Sequence, residues 1–176
     1  SGSTGPLQCG QRSAPPKRRS ITRISSSRSR TSARYSGGRS TRYTTGPTNG
    51  NTIWSGFGGV CETRNDGDPI VQYDQLADRW VIAQFAIPGR TAGYHECVAV
   101  SATSDATGAW YRYDFLVNAK KMNDYPKLGV WPDGYYLSVN QFTSSGAWAG
   151  AGALVLERRR MLVGDPGARM IYQDLY

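Results

Sequence analysis

From Ile53 onward, short apolar and aromatic runs alternate with Gly, Pro, Asp and Asn. Almost no stretch repeats its apolar positions at the 3.6-residue spacing of a helix. The runs at 69–73, 80–85, 97–100 and 110–116 are rich in Val, Ile, Tyr, Phe and Trp and read as strands. The order then starts again, with runs at 127–131, 135–142, 153–156 and 169–175. Residues 1–50 show no such pattern.

The two halves can be laid on each other. Asp68 falls on Asp124, Phe85 on Phe142 and Val98 on Leu154, at offsets of 56 or 57 residues. Four strands repeating at about that length match the blade of a β-propeller. The strands are apolar on both faces, as in Val81-Ile82-Ala83, which suits a sheet covered on two sides. The expected fold is all-β: a β-propeller fragment of about two four-stranded antiparallel blades, at 51–118 and 119–176. Two blades do not close a ring, so the remaining blades are expected to lie outside this chain. A β-sandwich with two similar halves is the competing arrangement.

Charge separates the first 50 residues from the rest. They hold 10 of the 21 Lys and Arg and none of the 13 Asp and Glu. The remainder carries 11 basic against 13 acidic residues, so the chain's +8 belongs to a tail. That tail has 11 Ser, 7 Thr and few large aliphatic residues, too little apolar area to offset chain entropy. It is expected to be disordered. Four roles compete for it: an RNA-binding arm with Tyr35 and Tyr43 to stack on bases, an organelle transit peptide, a linker, or a translation artefact. Nucleic acid is expected as a partner only through this arm. The apolar run at 146–156 is far short of the ~18 residues of a membrane helix, so no membrane insertion is expected.

A resemblance attaches to particular residues. The stretch from Cys61 through Asn65-Asp66-Gly67-Asp68-Pro69 to Tyr73-Asp74, then Asp78-Arg79-Trp80, resembles a group of bacterial secreted proteins of unassigned activity. So do Gly108-Ala109-Trp110-Tyr111 and Asn123-Asp124-Tyr125-Pro126-Lys127, running into Trp131-Pro132-Asp133-Gly134-Tyr135. It covers residues 56–176 and implies a propeller fold and an extracellular or periplasmic location. It supplies no reaction. In an exported protein Cys61 and Cys97 are able to pair as a disulfide, leaving Cys9 over. A second resemblance is to the Asp-box of sialidase-like propellers, carried by Thr103, Asp105, Gly108 and Trp110, with the glycine one place late. In that family the box is a turn between the third and fourth strands of a blade. It implies a structural role here: Asp105 accepting N–H bonds of its own turn, Gly108 at positive φ and Trp110 packed between sheets.

Asp68 and Asp124 are the candidate catalytic residues. Each precedes the first strand of its unit, and innermost propeller strands line a central channel. Furanosidase-type five-bladed propellers resemble this in placing catalytic Asp there. A glycosidase needs two carboxyl groups, one of raised pKa; Glu62 and Glu96 are the available partners, while Glu157 sits beside Arg158. Against this stands turn-capping before a Pro-led strand. Asp66 and Asp68 offer oxygen ligands for Ca²⁺ but lack the spacing of an EF-hand. With no Cys-x-x-Cys and His95 as the lone histidine, zinc is not expected. His95 beside Cys97 suggests a nucleophile on paper, without an orienting partner. The glycine-rich stretches at 56–59 and 146–152 read as connectors. Tyr94, Tyr125 and Trp131 are candidates to stack on sugar rings, with Trp54, Phe57 and Trp148 behind them; inter-blade packing competes. The expected function is a secreted binding or scaffold module for a glycan or surface partner, without a cofactor. The alternatives are a sialidase- or furanosidase-like glycoside hydrolase and RNA binding through the arm.

Overall fold

The structure is a computed structural model. It describes residues 48–89 and 92–176 in full and, before them, the backbone of β1 (Arg30–Thr31), β2 (Arg34–Gly37) and β3 (Ser40–Tyr43). β1 pairs with β4 (Thr48–Asn49), and β2 with β3. The other expectations placed on the tail, including Cys9 and the Tyr35 and Tyr43 side chains, lie outside the described residues.

Eight longer strands make two antiparallel sheets. The first holds β5 (Gly67–Asp74), β6 (Arg79–Ala86), β7 (Tyr94–Ser101) and β8 (Trp110–Asn118), paired in chain order. The second holds β9 (Lys121–Val130), β10 (Tyr135–Thr143), β11 (Trp148–Leu156) and β12 (Met170–Asp174), again in chain order. The fold is all-β, two four-stranded meanders of blade type. Among the described residues, helix is confined to a 3₁₀ turn (Gly50–Trp54), α1 (Gly59–Thr63) and α2 (Arg158–Met161).

The register corrects the alignment of the halves. In β5, Gly67 faces Phe85 and Ile70 faces Ala83, so Asp68 and Pro69 together oppose Gln84. In β9, Asp124 faces Asn140 and Lys127 faces Ser138, so Tyr125 and Pro126 together oppose Val139. Both are β-bulges, where a proline is tolerated because a ladder N–H is not required. The first bulge residue has positive φ in each, 48° at Asp68 and 50° at Tyr125. Asp68 is therefore the counterpart of Tyr125, not of Asp124. The second half has one more residue between its Asp and its Pro, and the proline sets the phase.

Alternation places the core. On β8, Tyr113, Phe115 and Val117 are buried; on β10, Tyr135, Leu137 and Val139. With Val81, Ala83, Val98, Val100, Leu154 and Leu156 they form one cluster between the sheets. The other face of the first sheet is closed by the segment that precedes it. Trp54 and Cys61 pack there on Ala86, Cys97 and Ala99, and Cys61 is disulfide-bonded to Cys97. That is why β6 and β7 are buried on both faces. The second sheet has no such lid among the described residues, and Tyr136 and Ile171 stand exposed on it.

One buried ion pair pins the sheets. The Asp74 carboxylate holds the β5–β6 turn by accepting the N–H groups of Leu76 and Ala77 at 3.0 and 3.1 Å. It also accepts Arg158 Nε and Nη2 at 2.7 and 3.0 Å and the Tyr135 hydroxyl at 2.8 Å, both from the second half. Burial works to raise the Asp74 carboxyl, but the Arg158 guanidinium and Tyr135 hydroxyl outweigh it and hold it below the usual range.

Asp74→Asn leaves the buried Arg158 without its charge partner, which costs about 3–5 kcal/mol. Thermal unfolding is expected about 10 °C lower. Because the folded carboxyl titrates below the unfolded one, its contribution is present above about pH 4 and is lost as pH falls through the folded value. The acid limb of the melting curve is therefore expected to be flatter in the variant. The disulfide spans 36 residues, for which loop-closure arithmetic gives roughly 4 kcal/mol. Cys61→Ser with Cys97→Ser is expected to lower the melting temperature by a similar ten degrees, and an unchanged value would show that the lid does not depend on the bond.

Candidate functional site

β9 is the strand of the second sheet nearest the first. It runs along β5 and comes close to β6, β7 and β8. Where its start meets the end of β6 and the start of β7, an open cleft of about 440 Å³ remains. Ile87 and Tyr94 form one wall, Met122 and Asp124 the other, and Phe142 and Thr143 at the end of β10, with Ser144 of the following turn, close the end. Trp148 stands edge-on to Phe142, ring centroids 5.6 Å apart, with its own surface exposed. Asp124 is half-buried, and its carboxylate makes no hydrogen bond or ion pair among the described residues. The cleft therefore offers aromatic and apolar surface beside a free carboxylate, with two hydroxyls at the rim.

A second depression of about 400 Å³ lies over Val155 and Ile171. Its charges are spent on each other: Glu157 accepts the Arg169 backbone N–H and its guanidinium, at 2.9 Å each.

Directly behind the first cleft lies a buried polar contact. Glu96, two residues after Tyr94, is fully enclosed and accepts Asn123 Nδ2 at 2.8 Å. The same amide reaches the His95 carbonyl at 3.3 Å. Burial pushes the Glu96 carboxyl up to about 8; the Asn123 hydrogen bond opposes this and the nearby Asp68 carboxylate adds to it.

Of the residues singled out from the sequence, only Asp124 and Tyr94 reach the cleft. Asp68 does not line it and is exposed on its bulge. Tyr125 is 56 % exposed with the Lys127 ammonium 3.2 Å from its ring centroid. Trp131, 65 % exposed, sits in the hairpin at the far end of β9. The glycine-rich stretch at 56–59 does lead into a helix, contrary to expectation. Gly58 caps α1 at φ 83°, and the Gly56 and Gly58 N–H groups are taken by Glu62 at 2.8 and 2.7 Å. Those two bonds hold the exposed Glu62 carboxyl below its usual range and commit it to the cap. Asp66, offered with Asp68 as a Ca²⁺ ligand, is engaged within the protein. Its carboxylate accepts the Arg64 guanidinium at 3.1 Å and the Ile87 N–H at 2.6 Å.

The segment from Thr103 to Trp110 is a turn between the third and fourth strands. Asp105 accepts the Thr107 N–H at 2.9 Å and hydroxyl at 2.7 Å. Two details differ from expectation. Gly108 is not among the positive-φ residues. Trp110 packs against the Trp54 and Cys61 cluster under the lid, not between the two sheets. His95 faces the same side, bonded to Asp114 at 2.6 Å, and Cys97 is held in the disulfide, so no thiol is paired with it.

Sequence reasoning did not find Phe142, Met122 or the Glu96–Asn123 contact. A carboxylate within the apolar run of β7 was the signal available for Glu96. Nothing comparable marked Asn123. No protein-family model matches the chain, and no curated protein or solved structure matches it.

Proposed function

We propose that this chain is a secreted carbohydrate-binding module that holds its ligand in the cleft between Tyr94, Phe142 and Asp124. The supporting observation is the Asp124 carboxylate, unpaired among the described residues and set among aromatic and apolar side chains. Sugars present exactly two kinds of surface, C–H faces that pack on aromatic rings and hydroxyls that donate to carboxylates. A few directed polar groups in a mostly apolar cleft are what fixes such a ligand. Binding is favoured over hydrolysis. A glycosidase needs a second carboxyl that touches the sugar, and the carboxyl here with a raised pKa, Glu96, is fully enclosed. Export is supported by the disulfide, which persists in oxidising compartments. No helix among the described residues is long and apolar enough to cross a membrane.

Binding to a panel of soluble polysaccharides and oligosaccharides, read by calorimetry or affinity electrophoresis, tests the proposal. Asp124→Ala removes a hydrogen bond to a charged group and is expected to weaken binding about 10-fold or more. Its melting temperature is expected to stay within a degree or two of the parent, because no described residue depends on Asp124. Trp131→Ala and Asp68→Ala are expected to bind as the parent does. Loss of binding in Trp131→Ala with none in Asp124→Ala moves the site to the hairpin. Release of reducing ends from any bound glycan restores the hydrolase.

A further inference from the structure

Five buried side-chain atoms lack a hydrogen-bond partner among the described residues. Three are nitrogen donors, on Trp54, Arg79 and Gln84. The two acceptors are Glu96 Oε1 and Asn123 Oδ1, and they belong to the two partners of one hydrogen bond. Each side chain has one end joined, Asn123 Nδ2 to Glu96 Oε2, and its other end empty. Two bare oxygen acceptors on the two partners of one buried hydrogen bond are costly to leave so.

No donor among the described residues is placed to satisfy them. Glu96 lies on the face of β7 that looks at the second sheet, with Phe85 opposite it on β6 and Phe115 on β8. The Gln84 amide is opposite Cys97, on the face turned to the lid. His95 and Asp114 are bonded to each other on that same side. From β5 the group that acts on Glu96 is the Asp68 carboxylate, another acceptor. From β9, Lys121 is committed to Asp174 at 2.6 Å and to the Ala149 carbonyl, and Asp124 lines the cleft. A single proton on Oε1 changes the count. It turns one bare acceptor into a donor for the other and removes the charge from the interior.

We propose that Glu96 stands as a neutral carboxylic acid in a closed acid–amide pair with Asn123, and that this pair is a pH-sensitive latch joining the two sheets behind the cleft. Oε1–H donates to Asn123 Oδ1 while Oε2 accepts from Nδ2. On deprotonation the Oε1–H bond is lost, and an ionised carboxylate is left near Asp68 with no cation set against it among the described residues. The latch ties β7 two residues after Tyr94 to β9 one residue before Asp124, so both cleft walls are anchored to it.

The sign of the effect is unusual for a carboxylate. The unfolded chain releases the proton near the ordinary value of 4.5, and the folded chain keeps it to about 8. The stability that the pair contributes therefore falls as pH rises between those values and is level above them. Melting temperatures of the full chain across that range test this without any ligand. The parent is expected to lose about 5 °C or more relative to Glu96→Gln over the interval. The glutamine amide supplies an N–H donor in place of the acid O–H at every pH, so its own curve is expected to run flatter. An infrared carbonyl band of a protonated carboxyl, present in the parent near neutral pH and absent from Glu96→Gln, reports the acid directly. Should Glu96→Gln fail to fold, Asn123→Asp serves: it is expected to be destabilised at neutral pH and recovered in acid. Parallel melting profiles for parent and Glu96→Gln, no such band, or an Asn123→Asp variant as stable as the parent at neutral pH each overturn the latch. So does a rise in the parent's melting temperature with millimolar calcium at alkaline pH that Glu96→Gln does not share, since a cation then fills the gap.

Discussion

An apolar sheet has two faces, and water must be kept from both. That constraint organises this protein. The inner faces of the two meanders cover one another through Val81, Val98, Tyr113, Leu137 and Leu154. The outer face of the first is covered by a short lid carrying Trp54 and Cys61. Apolar packing is non-directional, so it does not by itself fix how one sheet sits on the other. The Asp74–Arg158–Tyr135 contact does. It is buried, it has a defined geometry, and its members come from opposite halves of the chain.

The candidate site follows from the same packing. Two twisted sheets cannot touch everywhere. They meet along β5 and β9 and part where the strand ends fan out around Tyr94 and Phe142. The cleft is the gap left there. Behind it lies the Glu96–Asn123 contact, and its chemistry comes from Asp124, the one carboxylate among the described residues that lines it. The bulges at Asp68 and Tyr125 matter to this arrangement because a bulge re-aims the side chains around it. In β9 the bulge comes directly after Asp124, while in β5 it falls on Asp68 itself. The two aspartates, similar in sequence, thus have different surroundings. The outer face of the second sheet, with Tyr136 and Ile171 exposed, has no cover among the described residues.

Strand identity and order were legible in the chain. Runs of β-branched and aromatic residues broken by Gly, Pro and Asp fixed eight strands in two similar groups, because side-chain alternation and turn chemistry are local properties. The pairing of Cys61 with Cys97 followed from an expected export. The lid was not legible, since five-residue helices leave no periodicity to read. Nor was the phase of the repeat. Matching Asp68 to Asp124 is natural by residue type, but strand register counts bulges, which depend on the partner strand.

Local patterning thus determined the class of fold and its two meanders, and the turn at Asp105 followed from a resemblance of motif. Tertiary packing decided which polar groups came together and which were left apart. Asp74 met Arg158 across 84 positions, Glu96 met Asn123 across 27, and the Asp124 carboxylate was left without a partner among the described residues. The reason is that burial and charge environment are properties of faces, and a face exists only once two sheets have been placed against each other.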